Sequence, residues 1–346
     1  MKLRKTLALL VMIAVTAACG PDEAETPETL RLMAHDSFAG SVNEETFAPF
    51  TEATGIAVEV IAAGDAGSMV NQAALSKDNP LADVLFGVDD TFLSRAVEEG
   101  IFAEHSSDLL VDVIGGLHSE IDVVTPIDFG DVCLNYDKAW FEENQTPVPT
   151  DLDQLRDPAY AKALTVEHPA TSSPGLAFML ATVRDFGEEG WLDFWSDLRE
   201  GGVRVVPDWD TAYYNDFTRY GGGSPMVVSY ASSPPAEVIF ATEPLEEAPT
   251  GVIEAGCYRQ VEYAGVLAGT EYPQYAGDLI DFMLSVEFQE TIPLKWFVFP
   301  ANRNADLPPE FTENTIVPDA TERFTPETIA RNRDRWIDEW VAVMEG

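Results

Sequence analysis

The sequence predicts an α/β fold, a mostly parallel sheet covered by helices, and three observations predict it. Short β-branched runs alternate with amphipathic helical stretches, and the turns that follow the runs carry Gly, Ser and Asp. The chain has 346 residues, 46% of them hydrophobic, which is enough for two domains with a sizeable core. Its mean hydropathy of −0.06 excludes a disordered, collagen-like or multi-span membrane chain.

Residues 30–34 read as a strand that ends in a polar turn at His35-Asp36-Ser37. The spacing predicts a helix over 43–54, with Phe47 and Phe50 on one face and Gly55 as its stop. Residues 56–62 are β-rich, and Gly64-Asp65-Ala66-Gly67 turns into a helix over 68–76. A buried strand over 83–87 and a helix over 91–99 complete a β-α-β-α-β alternation. Strands follow at 132–136 and 164–167, and Ser172-Ser173-Pro174-Gly175 opens a helix through about Asp185. Trp191, Phe194, Trp195 and Leu198 lie at helical spacing and read as core. Residues 203–206 and 226–230 are strands, and 257–267 a return strand. Helices over 275–284 and 286–292 come next. The last helix opens at Thr325-Pro326-Glu327 and carries Ile329, Trp336, Trp340 and Val343 on one apolar face.

Residues 1–19 stand outside this pattern. Lys2, Arg4 and Lys5 precede an apolar run over 7–15 that is too short to span a bilayer, and Ala17-Ala18-Cys19-Gly20 follows. Small residues ahead of a Cys at the end of such a run resemble a bacterial lipobox, with Thr16 where Leu, Val or Ile is usual. This predicts export, lipidation at Cys19 and a lipid anchor as the membrane attachment, with 20–28 as an acidic tether.

Sixty Asp and Glu oppose 20 Lys and Arg, a formal charge of −40 that becomes −43 without the three leader bases. Such a chain repels phosphodiester backbones, so no nucleic-acid partner is expected. It attracts cations, for solubility in salty surroundings or for steering a cationic ligand. Export puts Cys133 and Cys257 in an oxidising compartment, where their one connectivity predicts a disulfide. With 4 His and no Cys/His cluster, neither a metal site nor a cofactor is expected.

Ligands on open α/β sheets bind at the carboxyl ends of strands. Four turns there hold small polar residues, an acid or aromatics: Asp65-Ala66, Ser172-Ser173, Trp209, and 230–234. Ser172-Ser173 before a helix reads as an ordinary N-cap or as a seat for a phosphate, carboxylate or hydroxyl. Trp209 and Tyr230 read as core rings or as faces for a flat ligand ring, and Asp65 can accept from an amino group or face a cation.

In order along the chain, Asp36-Ser37-Phe38, 82–87, 126–130, 171–176, 209–213, 229–234 and 293–300 resemble the thiamine-binding proteins of bacterial ABC importers. The resemblance implies a two-lobed type II periplasmic-binding fold, each lobe a mostly parallel sheet flanked by helices. Two crossing hinge segments would lie near 130–133 and 257–265, placing both cysteines at the hinge. The N-lobe would be 29–130 plus 266–346, and the C-lobe 131–265. The implied activity is capture without chemistry: a monomer closes on thiamine or its phosphates and docks on permease subunits driven by an ATPase. The implied ligand contacts are Asp65 with Ala66, Ser172 with Ser173, Trp209, Tyr230, Ala231, Ser232, Ser233, Pro234 and Trp296. A hydroxyethyl or phosphate tail would suit the Ser172-Ser173 helix start. The chain departs from the family pattern at Ala66, where Gly is usual, and at His35, where Tyr is usual.

Two alternatives use the same cleft. Tyr213-Tyr214 is a pair of the kind that holds ferric iron, which needs hard anionic oxygen ligands. Thiamine cleavage would need Cys133 as a free thiolate with Asp131 or Glu262 as base, and a disulfide silences it.

Overall fold

The computed structural model describes residues 26–119, 121–318 and 323–346. The leader, Cys19 and residues 20–25 of the expected tether lie outside the described residues.

Nine strands form one sheet: β1 (Thr29–Ala34), β2 (Ala57–Ala62), β3 (Val84–Asp89), β4 (Thr125–Asp137), β5 (Leu164–Glu167), β6 (Arg204–Val206), β7 (Met226–Tyr230), β8 (Thr250–Val266) and β9 (Phe299–Pro300). Their order is β2-β1-β3-β8-β4-β7-β5-β6, with β9 paired to β4. The two flanks are parallel, β2-β1-β3 on one side and β7-β5-β6 on the other. Between them β4 and β8 run antiparallel, from Thr125 opposite Ala264 to Asp137 opposite Thr250. Two mostly parallel lobes joined by two long crossing strands make the two-lobed type II architecture.

β3 and β5 are buried along their whole length, as expected of strands covered on both faces. The crossing strands are longer than their apolar cores suggest. The polar residues Asp128, Asp131, Gln260 and Glu262 interrupt the hydrophobic run but stay in the ladder.

Helices differ from expectation at several places. The turn at His35-Asp36-Ser37 continues into a helix, Asp36–Ser41, because His35 Nδ1 accepts the Phe38 N–H (3.2 Å). The helix expected over 43–54 splits into a 3-10 turn, Glu44–Phe47, and a helix, Ala48–Thr54. Asn43 and Thr46 cap the first reciprocally, and Pro49 in the first turn restarts the second. The helix opened at Ser173 runs to Gly201 with a kink at Gly187, so Trp191, Phe194, Trp195 and Leu198 sit on its second half, fully buried.

The C-terminal helix, Pro326–Glu345, is capped by Thr325 and packs against both lobes. Arg333 lies over the Phe92 ring (5.8 Å) of the first lobe. Trp340 meets Trp195 (5.4 Å) and His168 (5.0 Å) of the second edge-on, and Arg199 donates to the Val343 carbonyl (2.7 Å).

Cys133 and Cys257 are bonded, with Cα atoms 4.4 Å apart, at the register shift of the β4–β8 ladder. The bond spans 124 residues, so the chain-entropy account gives it about 4–5 kcal/mol. Replacing both cysteines by Ser should lower the urea midpoint by an amount corresponding to that loss. Thiol counting on the denatured, unreduced protein should find neither Cys133 nor Cys257. An unchanged midpoint would mean that the paired strands hold the hinge without the bond.

Candidate functional site

A cavity of about 580 Å³ opens between the lobes at the carboxyl ends of the parallel strands. The first lobe supplies His35 and Asp36 after β1, Asp65 and Ala66 after β2, and the segment 295–298 before β9. The second supplies Ser173 and Pro174 after β5, Trp209 through Asn215 after β6, and Tyr230, Ser233, Ala236 and Phe240 at and after β7. Glu262 comes from the crossing strand β8.

The aromatic walls are held from behind. Trp209 stacks on Tyr213 (4.9 Å, 17° between planes), and its indole N–H donates to Ser229 Oγ (2.9 Å), which is in turn 2.9 Å from Ser233 Oγ. The Tyr230 hydroxyl donates to Gln260 Oε1 (3.0 Å). Its ring lies so close to β4 that a Cβ at Gly130 would come within 2.8 Å of it, so only glycine fits there. On the opposite lobe the Trp296 indole donates to Asp128 Oδ2 (3.0 Å) and meets Phe38 edge-on (4.9 Å).

Carboxylates gather behind and between these rings. Asp65 caps the helix Ala66–Leu75 by accepting the Ala66 N–H (2.8 Å), and it also accepts the Trp209 N–H of the other lobe (3.4 Å). A second bond across the cleft runs from the Gly67 N–H to the Thr171 carbonyl (3.0 Å). Asp36 is used structurally, accepting the Gly64 N–H (2.8 Å). His35 Nε2 lies 3.4 Å from Glu262 Oε1. The imidazole packs against Gly87, whose φ of +93° and whose distance to the ring (a Cβ would lie 2.2 Å from it) both demand glycine.

Burial dominates the titration of this cluster. It pushes Asp65 up, against the Ser172 hydroxyl and the Ala66 N–H. It holds Asp128 well above the carboxylate range, helped by Glu262 and opposed by the Trp296 N–H. Asp89 is pushed up to about 7 by burial and by Asp90 beside it. Glu167, buried at the end of β5, is raised by burial, then by Asp65 and Asp208. For His35, burial opposes the charge, but Glu262, Asp65 and Asp210 outweigh it and the pKa is raised.

Of the residues singled out in the sequence, Asp65, Ala66, Ser173, Trp209, Tyr230, Ser233 and Trp296 line the cavity. Ser172, Ala231, Ser232 and Pro234 are buried behind the wall and do not reach it. Ala231 packs on the Cys133–Cys257 bond instead. Asp210, Phe240, Lys295 and Phe297 line the cavity without having been singled out, and Glu262 had been considered only as a base. Alternation along β8 points to Glu262, but no local pattern marks the other four. Tyr213 does not offer an oxyanion to a metal: its hydroxyl donates to Glu237 (3.0 Å), and burial holds the phenol well above its ordinary range. Cys133 is bonded and lies outside the cavity wall, so it presents no nucleophile.

Residues 79–323 match the family described as bacterial extracellular solute-binding protein. The chain belongs to this family. The thiamine-binding periplasmic protein of Escherichia coli (strain K12) is 30% identical to this solute-binding protein over 98% of each chain. A solved structure, a periplasmic thiamin binding protein, superposes with a TM-score of 0.82 at 26% identity, covering 94% of this chain and 98% of that one. The iron-bound HitA of Pseudomonas aeruginosa shares the fold at a TM-score of 0.72 and 20% identity, covering 91% of this chain and 99% of its own. The first two relatives are described as thiamine-binding and the third as iron-bound.

The raised carboxyls fix the sign of a pH dependence. Unfolded Asp releases its proton near pH 3.9, whereas native Asp89 keeps it to about 7, so stability falls as pH rises between the two. Asp65, Asp128 and Glu167 shift the same way, and raised His35 loses its contribution as pH climbs through its folded pKa. The melting temperature should be higher at pH 5 than at pH 7.5, and Asp89→Asn should flatten that slope. A melting temperature that rises over this interval would contradict the assignment.

Proposed function

We propose that this chain is exported, captures thiamine or a thiamine phosphate between its lobes without altering it, and delivers it to an ABC permease driven by an ATPase. The observation that carries this reading is the coexistence, in one cavity, of braced aromatic faces (Trp209 on Tyr213, Tyr230, Trp296) with the carboxyl groups Asp65, Asp210 and Glu262. A flat aminopyrimidine needs faces to stack on and acceptors for its amine. A thiazolium cation needs π-faces and negative charge close by, in a site that keeps water out. The names of the relatives point to the same ligand.

In this reading the N-lobe is 29–130 plus 266–346 and the C-lobe 131–265, with the C-terminal helix bracing both. Asp65, Ala66, Ser173, Trp209, Tyr230, Ser233 and Trp296 touch the ligand. Ser172, Ala231, Ser232 and Pro234 act from behind by fixing the turns that carry the contacts. Cys19 holds the monomer to the membrane by its lipid, and the acidic surface raises the rate at which a cation arrives.

Calorimetric titration with thiamine, its monophosphate and its diphosphate tests the reading. One-to-one binding of at least one form is expected, and no heat with any of them overturns the ligand assignment. Trp209→Ala or Tyr230→Ala should weaken binding by about 1–3 kcal/mol. Unchanged affinity in both variants would move the site elsewhere. The association rate for thiamine should fall as salt rises from 20 mM to 300 mM, about the range over which the Debye length shrinks below 10 Å.

A further inference from the structure

The base Lys295 stands apart from the other charged groups of the cleft. It ends the short helix Ile292–Lys295, lines the cavity and is half-buried. Among the described residues, no carboxylate lies within 4.0 Å of its Nζ and no hydrogen bond uses it. Among the described residues Lys162 also holds no carboxylate, so what sets Lys295 apart is its place in the cavity wall. Lys77, Lys138, Arg219, Arg259 and Arg323 each hold a carboxylate. The backbone around Lys295 is fixed rather than loose. Trp296 is tied to Asp128, and Phe297, at a left-handed φ of 59°, meets Phe240 of the other lobe (5.5 Å). A helix of four residues gives little dipole for a terminal Lys to complement, so capping does not account for its place.

The other place where an anion could sit is crowded by carboxyl groups. The start of the helix Ser173–Gly201 faces the protein's own acids, with Ser172 toward Asp65 and Ser173 toward Asp89, although neither hydroxyl oxygen has a hydrogen-bond partner among the described residues. Glu167 is buried near them, with neither oxygen bonded among the described residues. A phosphate brought there would meet carboxyl groups at low dielectric. The site resembles an anion seat in sequence, but its surroundings in the fold disfavour one.

We infer that Lys295 reads a phosphate ester on the bound ligand, so that this protein favours the phosphorylated forms of thiamine over thiamine itself. The inference rests on the proposed function. It divides the ligand between two parts of the wall: the cation among Asp65, Asp210 and Glu262, the phosphate at Lys295. An ammonium donating to a phosphate oxygen is a charge-assisted bond, roughly twice as strong as a neutral one.

The test is calorimetric titration of the purified protein, Lys295→Gln and Lys295→Arg with thiamine and with thiamine monophosphate, checking each variant's melting temperature. The unaltered protein should bind the monophosphate more tightly. Lys295→Gln should reduce that preference about tenfold while changing thiamine affinity less than twofold, and Lys295→Arg should keep it. A preference ratio that Lys295→Gln leaves unchanged overturns the inference and leaves the thiamine reading standing. If the unaltered protein binds neither compound, the thiamine reading fails, and this inference with it.

Discussion

The ladder between β4 and β8 is the constraint on which the rest of the molecule depends. Each of these strands belongs to both lobes, and several parts of the cleft are positioned from one or the other. Tyr230 ends β7, paired to β4 opposite Val132. Glu262 lies on β8 opposite Asp128, and that pairing puts two acids side by side where a sheet would ordinarily bury apolar residues. β9 pairs with β4 at Phe129, which fixes the segment carrying Trp296. The Cys133–Cys257 bond sits at the register shift, where the regular ladder is interrupted. A covalent tie there keeps the two crossing strands together between the lobes.

The charge distribution follows from what the hinge buries. Asp89, Asp90, Asp128 and Glu262 cluster at the crossing strands, and only some of them have cations. Arg323 serves Asp90 (3.0 Å) and His35 faces Glu262. Burial of the remainder is costly, and their raised pKa values express that cost as retained protons. A bound cation would offset part of it, so ligand binding and protonation become linked: whatever favours ionised carboxyls in the cleft favours the cation, and the reverse. An acidic cleft in an acidic protein therefore has a local reason besides solubility.

Closure is the second consequence of the architecture. The lobes already touch through Asp65 with the Trp209 N–H, through Gly67 with Thr171, and at the rim through Phe297 with Phe240. The C-terminal helix touches both lobes as well, but unequally. On the first lobe it packs along the helix Leu93–Glu98, with Arg333 over Phe92, whereas Trp340, Arg335 and the last carbonyls engage the second lobe through Trp195, Glu188 and Arg199. A helix held so braces one lobe against the other.

What could be read in the sequence was set by periodicity. β7, a continuous apolar run bounded by Pro225 and the turn after Tyr230, is legible to the residue, and so is the Thr325 cap. The crossing strands are legible only in part, because their buried acids break the apolar pattern that marks a strand. Within the turns, composition marks segments that reach the cavity but not the orientation of each side chain. Ser173 faces the cavity and Ser172 does not; Ser233 does and Ser232 does not. One residue of a tight turn changes which way a side chain points, and nothing in the local sequence records it. His35 and Lys295 were harder still. A histidine beside a glycine of positive φ, and a lysine that holds no carboxylate, acquire meaning only from residues distant in the chain: Gly87 and Glu262 for the first, and for the second the acids Asp65, Asp210 and Glu262 that share its cavity. A site built at a crossing of two lobes is legible in its parts, and its chemistry resides in the juxtaposition.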